Sequence, residues 1–195
     1  MRELQTGLWH WEAPHPDWKP GQEWGQMVSS YAIEDGERLL LFDPLAPPSK
    51  IDELAAGRET AIVLTTPWHA RDAAGLAGRL GALLYVPPPD EGDPNPVEGH
   101  VYRAGDRLPV GVEAFPGMEP NDLVLWVESR RALIVGDTLI DRGHGLEFPA
   151  DWANKGVPPE QILEALRPLL ELPVEVVLPT HGAPTDHAAL ERALS

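Results

Sequence analysis

The sequence predicts a mixed α/β domain covering residues 1–195. Three observations predict it. The chain, at 195 residues, has the length of one compact unit with a substantial core. Short β-branched or apolar runs bounded by turn residues recur along it. Between them, three stretches take the i, i+3, i+4 spacing of amphipathic helices.

The stretch through Trp24 sets Trp9, Trp11, Trp18 and Trp24 among Pro14, Pro16 and Pro20, which favours an extended or looping segment pinned by aromatic anchors. A packed lid over the sheet edge is the reading preferred to an aromatic ligand cage. Residues 27–33 and 38–42 read as strands around Glu34-Asp35-Gly36-Glu37, where Asp-Gly supplies the positive φ of a tight hairpin. Residues 61–64 form a short strand ending in Thr65-Thr66-Pro67. A helix follows over 72–80, with Ala73, Leu76, Ala77 and Leu80 on one face, Asp72 placed to cap it and Gly81 placed to end it in a left-handed conformation. The segment Trp68-His69-Ala70-Arg71-Asp72 therefore lies on a strand-to-helix loop, where open sheets present chemistry to solvent.

Residues 82–86 resume as strand, and the acidic, proline-rich stretch 87–99 reads as a surface loop. Residues 110–115, 123–127 and 132–135 are three further strands, with a turn at 128–131. Over 160–172 the spacing is helical, but Pro168 cannot donate to the Glu164 carbonyl and should kink or split the helix. Residues 174–178 form the last strand and deliver Pro179-Thr180-His181-Gly182 to a loop. Residues 186–194 close the chain as an amphipathic helix.

With 31 acidic and 15 basic side chains, the formal charge of -16 repels a phosphate backbone or an anionic bilayer, so neither nucleic acid nor membrane is expected as a partner. The first residues lack an export signal, and no run of about 18 apolar residues occurs, so a cytoplasmic location is expected. No cysteine is present; disulfides, thiolate metal sites and cysteine nucleophiles are excluded. There is no Gly-x-Ser-x-Gly elbow, Gly-rich phosphate loop or dinucleotide fingerprint.

The chemistry that remains belongs to imidazole and carboxylate. His69 with Asp72, Asp137 in Val135-Gly136-Asp137-Thr138, and His181 each follow a predicted strand, so adjacent strand ends bring them together. Two imidazoles and two carboxylates suit Zn, Mn or Fe. Each also has a plain alternative: Asp72 as a helix cap, Asp137 as a partner of turn amides, and the histidines as hydrogen-bonded loop residues. His10, His15, His100 and His187 read as surface histidines, whereas His144 follows the Asp137 loop closely enough to line a pocket.

The order of segments resembles the metallo-β-lactamase superfamily over nearly the whole chain. The hairpin ending Leu39-Leu40-Leu41-Phe42-Asp43-Pro44 looks like its second strand and aspartate-containing turn. TTPWHARDAAG looks like its His-x-His-x-Asp-His signature, and AFPGMEPNDLVLWV like its Pro-Gly-His segment. LIVGDTL and VLPTHG look like its remaining two ligand loops. The resemblance implies a four-layer αββα sandwich with a pocket at one edge of the two sheets.

Position by position, the signature histidines become Pro67, His69 and Asp72, and its aspartate becomes Arg71. The Pro-Gly-His histidine is Met118, while Asp137 and His181 are retained. The first metal site implied by the resemblance keeps only His69 and Asp137, because proline has no side-chain donor and a thioether is a poor ligand for a borderline ion. The second keeps Asp72, Asp137 and His181, but with a permanently charged Arg71 beside them.

The simplest expectation is that Arg71 replaces the cation by pairing with Asp72 or Asp137, and that no metal cofactor is held. This implies a protein without ordinary two-metal hydrolase activity that retains a pocket for a small molecule or anion, walled by Trp68, Arg71, Met118 and His144. The alternatives are a mononuclear hydrolase using one Zn, Mn or Fe ion, and a structural or assembly role. A homodimer contact through the early tryptophans is compatible with either.

Overall fold

The computed structural model describes residues 1–153 and 156–195, and its strands fall mainly into two sheets. The first holds β1 (Arg2–Gln5), β2 (Leu8–Pro14), β3 (Met27–Asp35), β4 (Arg38–Phe42), β5 (Glu59–Val63), β6 (Leu83–Val86) and β7 (His100–Val101) in sequence order. Its first three pairings are antiparallel and the last three parallel. The parallel part is crossed by helices α1 (Lys50–Ala55) and α2 (Ala73–Leu80).

The second sheet begins with β8 (Arg107–Leu108), β9 (Val112–Pro116), β10 (Leu123–Val127) and β11 (Ala132–Gly136). A small ribbon of β12 (Ile140–Asp141) and β13 (Leu146–Glu147) follows, then α3 (Pro159–Leu166). Strand β14 (Val176–Pro179) pairs parallel to β11, which gives the order β14-β11-β10-β9-β8, and α4 (His187–Ala193) closes the chain.

The strands are nearly continuous apolar runs because each sheet is covered on both faces. Side chains alternate across a strand, so neighbours enter different cores. In β4, Leu40 and Phe42 point between the sheets while Leu39 and Leu41 pack with Ile51, Leu54 and Leu76 of α1 and α2. In β10, Leu123, Leu125 and Val127 meet the same central core from the other side. Val124 and Trp126 pack with Ile162, Leu166 and Leu190 of α3 and α4. Three stacked cores between four layers constitute the αββα sandwich.

Several local expectations are met. Gly36 and Gly81 both take φ of 64°, the first in the β3–β4 turn and the second ending α2. The helix expected over 160–172 is split as Pro168 requires: α3 stops at Leu166 and a 3-10 turn runs over Arg167–Glu171. Asp186 caps α4 by accepting the Ala189 N–H.

Other expectations are corrected. The early tryptophan stretch is not all loop: Trp9 and Trp11 lie on β2, held by β3. Asp72 precedes α2 but makes no side-chain cap bond; its carboxylate instead accepts the Ala46 N–H at 2.6 Å. His10 is not a surface residue, being buried against Tyr31 and bonded to the Ser29 hydroxyl. Among the described residues no helix is long and apolar enough to cross a membrane.

The Pro116-Gly117 turn shows why one glycine is required for packing. A Cβ at Gly117 would collide with the Asp122 carbonyl oxygen and the Thr138 hydroxyl. At Gly75, inside α2, a Cβ would meet nothing. Gly117→Ala is therefore expected to cost more than about 2 kcal/mol. Gly75→Ala is expected to gain about 0.5–1 kcal/mol. Thermal unfolding of the two variants checks both signs.

Candidate functional site

The site forms where both sheets end together, from loops after β4, β5, β11 and β14. Asp43 follows β4 at φ 45° and is fixed by Thr65, whose N–H donates to Oδ1 at 2.9 Å and whose hydroxyl donates to Oδ2 at 2.6 Å. Four residues on, His69 sits in a 3-10 turn with 3% of its surface exposed. Its Nδ1 lies 3.1 Å from Asp43 Oδ2 and from the Thr65 hydroxyl oxygen; its Nε2 lies 3.3 Å from Asp137 Oδ2. Asp137 follows β11 through Gly136, where a Cβ would press on the Thr65 side chain. Asp137 also accepts the Trp68 indole N–H at 3.3 Å, and its Oδ1 lies 3.5 Å from His181 Nε2. The resulting row is Asp43–His69–Asp137–His181.

The two imidazoles take opposite charge states. Burial and the Arg71 charge push the His69 pKa down, but Asp137 and Asp43 outweigh both and hold it at about 9. Burial brings His181 down to about 4, opposed by Asp137 and reinforced by His69, Arg71 and His15. Burial alone would raise Asp137, yet His69, then His181 and Arg71, hold its carboxyl well below the usual range. Behind the row, fully buried Asp122 is pushed up to about 8 by burial and by Asp137, against the opposing bond from the Thr138 hydroxyl.

Above the row opens a cavity of about 660 Å³ walled by Trp24, Trp68 and Trp152, with His69, Arg71, Asp72, Asp137 and His181 among its other lining residues. Trp24 and Trp152 set their rings edge-on to His181, with centroids 4.8 Å and 5.6 Å away. Arg142 braces this side: it stacks on Trp152, bonds Asp151 at 2.7 Å and approaches Glu23 at 3.8 Å.

Of the residues singled out from sequence, His69, Asp137 and His181 converge, and Asp72, Trp68 and Arg71 line the same cavity. Met118 and His144 do not. Met118 is buried in the outer core below α3, and His144 is exposed beside Glu147. Arg71 does not pair with Asp72 or Asp137 as expected; its hydrogen bond goes to the Asp43 carbonyl oxygen at 3.3 Å. The cation between the carboxylates is His69. Sequence reading missed the roles of Asp43, Trp24 and Trp152 and classed His15, another lining residue, as surface.

Fold and site together define an αββα domain of metallo-β-lactamase type, with its cavity formed by loops at one sandwich edge. Residues 56–181 match the model of the metallo-β-lactamase superfamily, and the chain belongs to that superfamily. No curated protein matches the sequence. Among solved structures, DIM-1 metallo-β-lactamase exposed to ceftazidime is 14% identical with a TM-score of 0.73, over 99% of this chain and 93% of that one. TTHA1623 in a di-iron-bound form is 25% identical with a TM-score of 0.64, over 94% and 98%. ETHE1 from Myxococcus xanthus is 22% identical with a TM-score of 0.62, over 86% and 78%.

The donor set does not fit a two-ion centre of that superfamily. Pro67 and Met118 offer no suitable donor, and Arg71 brings a fixed positive charge to the second position. His69 would have to surrender the proton that two carboxylates stabilise. Among the described residues no group of three or more His, Cys, Asp or Glu side chains is arranged to hold an ion.

Two of these shifts act on stability with the same sign. The His69 pKa of about 9 lies above its ordinary 6.5, so its contribution is complete below pH 6.5 and lost as pH rises through 9. The Asp122 pKa of about 8 lies above its ordinary 3.8, so the folded state loses ground from pH 3.8 upward until 8 is passed. Stability should fall by about 2 kcal/mol or more between pH 7 and 9.5. Asp122→Asn should make the fall shallower, as thermal melts across that window will read.

Backbone strain gathers at the same place. Among the described residues, three of the four non-glycine residues with positive φ, Asp43, Ala46 and Arg71, lie on the loops after β4 and β5 that build the site. Arg71, at φ 34° and ψ -120°, is the most unusual. Arg71→Gly should therefore raise stability by up to about 1 kcal/mol, measured by chemical denaturation.

Proposed function

We propose that this protein is a divergent metallo-β-lactamase-fold member whose dinuclear site has been replaced by protein charges, that it lacks ordinary two-metal hydrolase activity, and that its pocket binds a small organic molecule or anion. The observation that carries the reading is the buried His69 imidazole between Asp43 and Asp137, with both ring nitrogens within 3.3 Å of a carboxylate oxygen. An imidazolium satisfies carboxylates that would otherwise be buried and uncompensated, an arrangement costing about 3–5 kcal/mol when one partner is removed. Arg71 stands beside it and adds a second positive charge at the cavity wall.

A second reading, a mononuclear hydrolase using one Zn, Mn or Fe ion, draws on the convergence of His69 Nε2 and His181 Nε2 on the two oxygens of Asp137. It also draws on the di-iron form of TTHA1623. It would require His69 to give up its proton.

The two readings predict different metal dependence. Protein purified in medium containing zinc, manganese and iron should carry far less than one equivalent of any of them, and chelator should leave its melting temperature unchanged. A bound ion at a hundredfold excess over its Kd would stabilise the fold by about 2.7 kcal/mol, or roughly 5–10 °C at this chain length. One equivalent of metal together with a chelator-induced fall of that size would establish the second reading instead.

A further inference from the structure

Resting on that reading, the cavity lining narrows the class of ligand. Each carboxylate near Arg71 has a partner other than Arg71: Asp43 has Thr65 and His69, Asp72 the Ala46 amide, and Asp137 has His69 and the Trp68 indole on Oδ2, while its Oδ1 accepts no hydrogen bond among the described residues. Arg71 is less well supplied. Among the described residues its hydrogen bond is the long one to the Asp43 carbonyl oxygen, and its buried Nε has no partner. A guanidinium withdrawn from water without its full set of acceptors is costly, and a planar oxyanion is the group that matches its donor fork.

The cavity around it is far larger than a bare oxyanion needs, at about 660 Å³. Its walls are three indoles. Trp68 is 45% exposed, yet its N–H is tied to Asp137, which fixes the ring in place. Trp24 and Trp152 are fixed edge-on to His181 on the other side. Rigid aromatic walls reward a flat apolar body at little entropic cost. The chain's charge of -16 does not decide the matter, because at physiological salt the Debye length is about 8 Å and the field at the cavity is that of its own lining.

We propose that the pocket takes a small organic anion with a flat apolar body, its carboxylate or equivalent oxyanion on Arg71 and its ring against Trp68, Trp24 and Trp152. Such a ligand combines one charged end with one aromatic end. A bare inorganic anion uses only Arg71, and a flat cation uses only the indoles and leaves the Arg71 guanidinium without an acceptor.

Three probes separate these cases: benzoate, inorganic phosphate and benzyltrimethylammonium, each titrated by tryptophan fluorescence and by thermal shift. Benzoate should bind at least about tenfold more tightly than either of the others. Arg71→Gln and Trp68→Ala should each weaken it by about tenfold or more, with Arg71→Lys retaining part of the affinity. Loss of the ring contact alone should leave phosphate binding by Trp68→Ala unchanged. Phosphate equal to benzoate, benzyltrimethylammonium tighter than benzoate, or no saturable binding of any probe would each overturn the proposal.

Titrating chelator-treated and zinc-supplemented protein in parallel separates this outcome from the fate of the metal-free reading. Benzoate binding that appears only with zinc would overturn both, whereas absence of binding in both preparations, with no zinc retained, would overturn the ligand class alone.

Discussion

The arrangement at the edge of the sandwich depends on one buried proton, the second proton of His69. Asp43 and His69 come from loops of the first sheet and Asp137 from the second, so the imidazolium joins the two sheets as well as two carboxylates. Without that proton, two acidic groups with 2% and 7% exposure would face each other across a ring able to donate to only one of them. Desolvation makes a buried charge triad a weak source of net stability, but a strong constraint on which partners are present. Burial is the first cause of the neutral His181, and the His69 charge adds to it against the opposing pull of Asp137.

Much of the fold was legible in the sequence because it is written in local signals. The Asp-Gly turn, Gly81 at the end of α2 and the proline that splits α3 from its 3-10 extension each act within a few residues. The continuous apolar runs marked the doubly covered strands. The β1–β2 hairpin was hidden because its strands carry Trp, His and charged residues whose burial depends on β3. Helix α1 has only six residues and its Ser49 makes no capping bond, so it carries little periodicity to read.

The site was legible in part for the same reason. His69, Asp137 and His181 follow strands and fall at family landmarks, so their convergence could be anticipated. What could not be read was which cation would sit between the carboxylates. Arg71 has the permanent charge, but its backbone at φ 34° sends the side chain along the cavity wall to a main-chain oxygen. His69 has the weaker intrinsic claim and the better position. Trp24 and Trp152 were missed as wall residues because they reach the cavity from loops separated by more than a hundred residues, braced through Arg142, and no spacing rule connects them.

A divalent ion and the pair formed by a protonated His69 and Arg71 carry the same formal charge, so the exchange we propose is conservative for the surrounding carboxylates. It is not conservative for chemistry. A metal centre acts by leaving a coordination position open, through which it polarises a substrate or acidifies water. An imidazolium with both nitrogens directed at carboxylates has no such position, and a guanidinium offers donors without any orbital to accept a nucleophile. Charge and the hydrogen bonds from Thr65, Ala46 and Trp68 hold the loops around a cavity with one incompletely satisfied cation. On the proposed reading, what those groups can do is hold an oxyanion and orient the body attached to it, and recognition is then the property that the site retains.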